Sequence, residues 1–152
     1  LAHLTAMLHR AYKTHVDRGL RALSGFQPEE VTRKRIVSGE CSVATYLGKV
    51  VGTILFKDAP NTAGTPWFDG PGVASFSQLA VEPEVQGRGI GGVLIARAEE
   101  RAAATGAREL ALSTPQPATW LVEMYQRRGY RVVETHHWPE TNYTSAIMSK
   151  TL

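Results

Sequence analysis

The sequence predicts an α/β sandwich: a mixed sheet that opens antiparallel and has a βαβα centre, rather than a fully parallel doubly wound fold. Three observations carry that expectation. Cys41 to Leu47 and Lys49 to Lys57 are rich in β-branched and aromatic residues and follow one another across a tight Gly48-Lys49 connection, the pattern of a hairpin. A further strand, Val73 to Val81, runs through a glycine-rich turn into a helix and on to another strand. The 152 residues are the length of a single compact domain, 1–152, with no repeat or low-complexity segment.

In chain order, Leu4, Met7, Leu8, Ala11, Tyr12, Val16, Leu20 and Leu23 recur at helical spacing and predict one amphipathic helix over 4–23. Pro28-Glu29-Glu30 starts a short, mostly exposed helix, since proline is tolerated in a first turn and acids there favour the helix dipole; it ends near Ser38-Gly39. After the hairpin, Asp58 to Gly72 gathers prolines and glycines around Trp67-Phe68, a long irregular loop whose two large aromatics argue against disorder. The Val73 to Val81 strand stops before Pro83, which lacks the ladder amide. From Gly89 to about Thr105 a helix presents Ile90, Val93, Leu94, Ala98 and Ala102 on one face and ends at Gly106. Strand Ala107 to Ser113, a helix over about Pro117 to Arg128 stopped by Gly129, and strands Tyr130 to Thr135 and Tyr143 to Lys150 complete the chain.

Composition narrows the function classes. Apolar residues at 43% and charged residues at 20% exclude the signature of disorder. A net charge of +3 without a basic run is too mild for a nucleic-acid partner. Val50 to Phe56, the longest apolar run, falls far short of the roughly 20 residues that span a bilayer, so no membrane partner is expected. The single cysteine, Cys41, makes no internal disulfide and reads as a small buried apolar residue, and a cytoplasmic location is expected. The N-terminus does not read as a secretory signal, and the chain opens at Leu1 rather than methionine, so a preceding segment is expected. His3, His9 and His15 fall 240° apart on a helix and make no metal face; with no HExxH or CxxC spacing, no metal is expected. All five histidines read as surface or packing residues, with His137 kept as a candidate proton acceptor.

The most informative stretch is SQLAVEPEVQGRGIGGVL, Ser77 to Leu94. Gly87, Gly89 and Gly91 alternate at a helix start, where bare backbone amides and the positive end of the dipole suit a pyrophosphate. Gly87 to Gly92 also satisfies GxGxxG, but a hairpin precedes it and the next strand ends in Ser113-Thr114 instead of a ribose-binding acid, which argues against a nicotinamide domain. No GK[ST] follows, which argues against a Walker loop.

This segment resembles motif A of the GNAT superfamily of acetyl-CoA-dependent N-acyltransferases, [RQ]xxGx[GA] after a strand ending in small apolar residues; Gln86-Gly87-Arg88-Gly89-Ile90-Gly91 follows Leu79-Ala80-Val81. Tyr125, four residues before Gly129-Tyr130, and the terminal strand ending Ile147-Met148-Ser149-Lys150 extend the resemblance over roughly residues 40 to 152. The resemblance implies a mostly antiparallel sheet with a central strand splayed at the acetyl-CoA site and helices on both faces. It also implies acetyl-CoA as cosubstrate: Leu79, Ala80 and Val81 pairing with pantetheine, Gln86 and the Gly87, Arg88, Gly89, Ile90, Gly91, Gly92 run holding pyrophosphate, and Tyr125 acting as general acid on the thiolate. Acetyl transfer to an amine builds an oxyanion that a strand amide can stabilise and a leaving thiolate that a phenol can protonate.

The chain departs from the family pattern at three places. Ala118 stands where many members have a cofactor-contacting asparagine, with Thr119, Gln116 or backbone as substitutes. No glutamate lies on Val73 to Val81, and Ser113 occupies the other usual place of the base, leaving a water chain, His137, Glu123 or Glu30. The family's first edge strand is absent before the opening helix, so it is expected upstream of Leu1 or supplied otherwise. Arg127, Arg128 and Arg131 are read as complementing the helix dipole rather than meeting the cofactor.

Tyr12, Trp67, Trp138 and Tyr143 fall in a first helix and loops that border the acceptor pocket in this family, and with Phe68 they suggest an acceptor with an apolar part beside its amine. The expected function is direct transfer from acetyl-CoA to the amine of a small molecule or peptide through a ternary complex, by a monomer or homodimer. The alternative is a non-catalytic acyl-CoA binding or sensing module.

Overall fold

The computed structural model describes residues 1–152. Six strands form one sheet in the order β1-β2-β3-β4-β6-β5, where β1 is Glu40–Tyr46, β2 Lys49–Lys57, β3 Val73–Val81, β4 Glu109–Pro115, β5 Arg131–His136 and β6 Ser145–Thr151. Every neighbouring pair is antiparallel except β3 and β4, which are parallel and joined through a helix, as a parallel crossover requires. The mixed, mostly antiparallel sheet expected from the sequence is therefore the observed one.

Five helices flank it: α1 Ala2–Ala11, α2 Lys13–Asp17, α3 Glu29–Val37, α4 Ile90–Ala104 and α5 Thr119–Arg127. Strand alternation sorts the core into two layers. Ile54 and Phe56 of β2, Leu110 and Leu112 of β4, and Ala146 and Met148 of β6 meet Leu94, Ile95 and Ala98 of α4 and Tyr125 of α5. On the opposite face, Ala111 and Ile147 pack with Val73, Phe68 and, half-buried, Trp67 and Trp138, so the 58–72 loop is folded down as a lid on that half of the sheet.

Three expectations are corrected. The single helix over 4–23 is broken at Tyr12, ends at Gly19 with φ +76°, and gives way to a 3-10 turn at Leu23–Gly25. Periodicity does not register the break because Met7, Leu8 and His15 on either side of it are all buried. The hairpin turns on Leu47-Gly48 rather than Gly48-Lys49: both residues have positive φ, which matches the twist of the flanking strands. Cys41 is half-buried, not buried, and its Sγ lies 3.3 Å from Thr53 Oγ1.

Candidate active site

The site begins as a gap in the sheet. β3 pairs with β4 only over Val73–Ser75 against Glu109–Ala111, while β4 stays paired with β6 as far as Pro115. From Phe76 onward, β3 and β4 part. The separation starts at a bulge: Thr53 faces Ala80 and Leu55 faces Ser77, so β3 carries one extra residue, and Gln78 takes φ +58°. A cleft of about 760 Å³ fills the wedge, with Phe76 to Val81 on one wall and Ser113 to Pro115 on the other. Along this part of β3, Leu79 O and Val81 O accept side-chain donors, Tyr12 and Gln86, in place of a neighbouring strand.

At the Val81 end, the chain enters the glycine turn. Glu82 is buried, donates its amide to Val51 O and accepts Arg10 Nε and Nη2 at 2.6 and 2.9 Å, which pins α1 to the end of β3. That guanidinium holds the Glu82 carboxyl below its usual range. Gln86 donates Nε2 to Val81 O, tying the turn back on the strand. Gly87 and Gly89 have φ near +82° and +83°, and Gly89 is the N-cap of α4 without a side-chain cap. No atom lies within 4 Å of where a Cβ would stand on either. Gly87, Gly89, Ile90 and Gly91 line the cleft with Gln86. Arg88 turns outward toward the Tyr46 ring, and a Cβ on Gly92 would meet Arg128 Nη2 at 2.9 Å. Arg128 thus reaches the first turn of α4, while Arg131 pairs with Glu109 at 3.1 Å.

Tyr125 stands on the cleft wall from α5, 6% exposed, between the Phe76 and Tyr130 rings at 6.1 and 6.0 Å. Burial, with the Tyr12 phenol adding to it, pushes its pKa far up, so it remains a proton donor. Tyr12 donates its hydroxyl to Leu79 O at 2.8 Å and so braces the bulge. Tyr143 lines the same cleft, and burial pushes its phenol up to about 12. Trp138 lines it too, donating Nε1 to Ser113 Oγ at 2.9 Å. Trp67 does not: it packs into the opposite core layer beneath the Arg131 guanidinium, with its Nε1 buried and unpartnered. Phe68 is the aromatic of that loop that reaches the cleft.

Neither His137, Glu123 nor Glu30 lines the cleft, and neither do Thr119 and Gln116. The wall instead carries four titratable groups beyond its tyrosines: His15, Arg35, Lys57 and Glu140. His15 is 8% exposed, 5.0 Å from the Tyr12 ring and 6.2 Å from Trp120, with Nδ1 buried and unpartnered. Burial lowers its pKa and keeps the ring neutral. Helical spacing alone gave no reason to separate His15 from His3 and His9; its place beside Tyr12 at a helix break did. No three His, Cys, Asp or Glu side chains converge as a metal set, and no helix is long and apolar enough to cross a membrane.

The sequence profile of the acetyltransferase (GNAT) family matches residues 6–130, and the chain belongs to that family. It is 29% identical over 126 residues, 80% of its own length and 72% of the other's, to the S-(2-succino)cysteine N-acetyltransferase of Bacillus subtilis strain 168. Among solved structures, a GNAT acetyltransferase of Elizabethkingia anophelis with acetyl-CoA bound superposes with TM-score 0.63 at 20% identity, covering 82% of this chain and 84% of that one. The ribosomal-protein-alanine N-acetyltransferase of Brucella melitensis superposes with TM-score 0.71 at 19% identity, covering 99% and 95%.

Proposed function

We propose that this chain moves the acetyl group of acetyl-CoA directly to the amine of a small molecule or peptide, with both substrates bound at once. The observation that carries this reading is the wedge between β3 and β4, where β3 is unpaired with β4 beyond Ser75 and the cleft runs from the glycine turn past Tyr125. The open space over Gly87 and Gly89, at the positive end of α4, fits the phosphates of the carrier. Acetyl-CoA supplies an acetyl group activated as a thioester. The amides of Gly87 to Gly92 hold its phosphates, and the backbone of β3 orients its arm and meets developing negative charge at the carbonyl oxygen. Tyr125 delivers its hydroxyl proton to the departing sulfur. His15, neutral and on the same wall, takes the proton that the attacking amine releases; Glu140, the other base in the cleft, is exposed at its rim.

The test is thermal unfolding with and without acetyl-CoA, coenzyme A and NADH, followed by thiol release against an amine panel that includes S-(2-succino)cysteine. Ligand that binds the folded state raises Tm with its concentration over Kd. A rise with acetyl-CoA together with thiol release supports the reading. No rise at saturating acetyl-CoA defeats it, and a rise with no release from any amine favours a binding module.

A further inference from the structure

The two cations at the far end of the cleft point to the chemistry of the acceptor. Arg35 stands in the last turn of α3 and Lys57 ends β2, and both line the cleft. Neither has a carboxylate within ion-pair distance. Arg35 spends Nη1 on two neutral acceptors, Gln27 Oε1 at 2.7 Å and Ser24 Oγ at 3.2 Å, and its other nitrogens bond to nothing in the protein. Gln27 passes the network on, donating Nε2 to Gln78 Oε1 at 2.9 Å. Gln78, on the bulge and 3% exposed, is left with Nε2 buried and unpartnered. Two cations and an amide donor without an acceptor therefore share one cleft. A buried donor left unsatisfied is costly, and such groups mark a place where a ligand supplies the missing acceptor.

These donors are not a second hold on the phosphates of acetyl-CoA. Lys57 faces Ser75 across the sheet, whereas Gly52 faces Val81 at the glycine turn. Six residues of strand separate the two ends, roughly 20 Å at strand rise. Tyr125 packs on Phe76, the β3 residue next to the Ser75 that faces Lys57. A molecule placing its amine near Tyr125 and His15 extends, on the side away from the glycine turn, toward Arg35 and Lys57. Burial, and after it the repulsion of Arg35, disfavour the charged Lys57, a cost that an anion between the two cations would lower. Glu140, the acid on the lining, is exposed; its charge acts on the Arg35 guanidinium, but it makes no ion pair with either cation.

We infer that Arg35 and Lys57, with Gln78, bind a carboxylate carried by the acceptor, so that the acceptor is an amine of the amino-acid class rather than a plain alkyl or aryl amine. The inference rests on the acetyl-transfer reading above. It makes Arg35 and Lys57 specificity-determining, and gives a use to a polar network that otherwise only ties α3 to the bulge.

Matched pairs test it. Thiol release is measured for the twenty proteinogenic L-amino acids and S-(2-succino)cysteine, each against the amine left when the α-carboxyl is removed. Hydrogen bonds to charged groups lead to an expected kcat/KM about ten- to a hundredfold higher for an accepted acid than for its decarboxylated partner. Lys57→Met and Arg35→Gln should erase that ratio by raising KM for the acid alone, and Arg35→Lys should restore part of it. A merely structural role for Arg35 would lower both members of a pair equally, which overturns the inference. So do equal kcat/KM values within pairs, and so does an acetyl-CoA shift accompanied by no release from any acid. A missing acetyl-CoA shift is a separate result, since it removes the transfer reading on which the inference stands.

Discussion

In the proposed transfer, Tyr125 and His15 would divide the proton traffic by their surroundings. The phenol is walled by Phe76 and Tyr130 and held protonated, while the imidazole is buried between Tyr12 and Trp120 and held neutral. Tyr125→Phe should therefore lower kcat by about two to four orders of magnitude while coenzyme A affinity, read by titration calorimetry, stays unchanged. For His15 the pH dependence carries the test. Its folded pKa lies below the ordinary histidine value near 6.5, so kcat/KM should fall only on the acid side, and His15→Gln should lower activity and remove that limb. The same shift affects stability: the unfolded chain binds the proton more readily, so stability rises with pH through the interval below about 6.5 and is lost as pH drops through the folded value. Thermal unfolding of His15→Gln across that interval should be flatter than that of the parent. Tyr125 was singled out through the family resemblance, carried by Gly129 and Tyr130 after it, and the structure puts it on the cleft wall. His15, Arg35 and Lys57 were not, since each meets the cleft through tertiary packing of elements far apart in the chain.

At the level of elements, the strand, turn and helix from Val73 to Ala104 are the part that local sequence determines most completely. Strand β3 spans the residues expected of it, Val73–Val81, because Pro83 lacks the ladder amide and ends it. Gly89 separates two roles that a glycine combines. Its φ of +83° excludes most side chains, yet nothing occupies the space over it. Gly89→Ala should cost about 1–2 kcal/mol in unfolding free energy through strained backbone. Gly89→Asn, whose side chain tolerates that conformation, should keep most of the stability and still weaken acetyl-CoA binding by filling the cradle; denaturant titration and calorimetry together distinguish the two. The opening helix shows where local reading stops. Tyr12 breaks it while donating to Leu79 O across the fold, and no period in the sequence records a hydrogen bond made at a distance of 67 residues.

For the whole molecule, the fold class followed from element order, while the position of loops did not. Trp67 and Phe68 are adjacent, chemically alike and packed in the same core layer, but Phe68 reaches the cleft while Trp67 lies under the Arg131 guanidinium, a difference that their sequence does not announce. The Arg10–Glu82 pair joins the first helix to the end of the central strand over the same scale. The Glu82 carboxyl is held low by that pair, so its contribution is complete above the ordinary carboxylate range near 4.5 and is lost as pH falls through the folded value. Glu82→Gln should cost about 1 kcal/mol at neutral pH, discounted for the half-exposed Arg10, and should remove part of the acid-side loss in a pH series of melting temperatures.

The parting of β3 from β4 also reverses the usual ranking of solvent protection in a sheet. Central strands ordinarily surrender their amide hydrogens last. Here β4 with β6 is continuous and β1 with β2 pairs end to end across one bulge at Ala44/Thr45, while the middle of the sheet is unzipped beyond Ser75. Deuterium should accordingly enter the Leu79 to Val81 segment ahead of its flanks, and acetyl-CoA should slow that uptake by occupying the seam. The most interior strand of the protein is thus its most responsive one, and a bound carrier would complete the sheet as a seventh strand completes an edge.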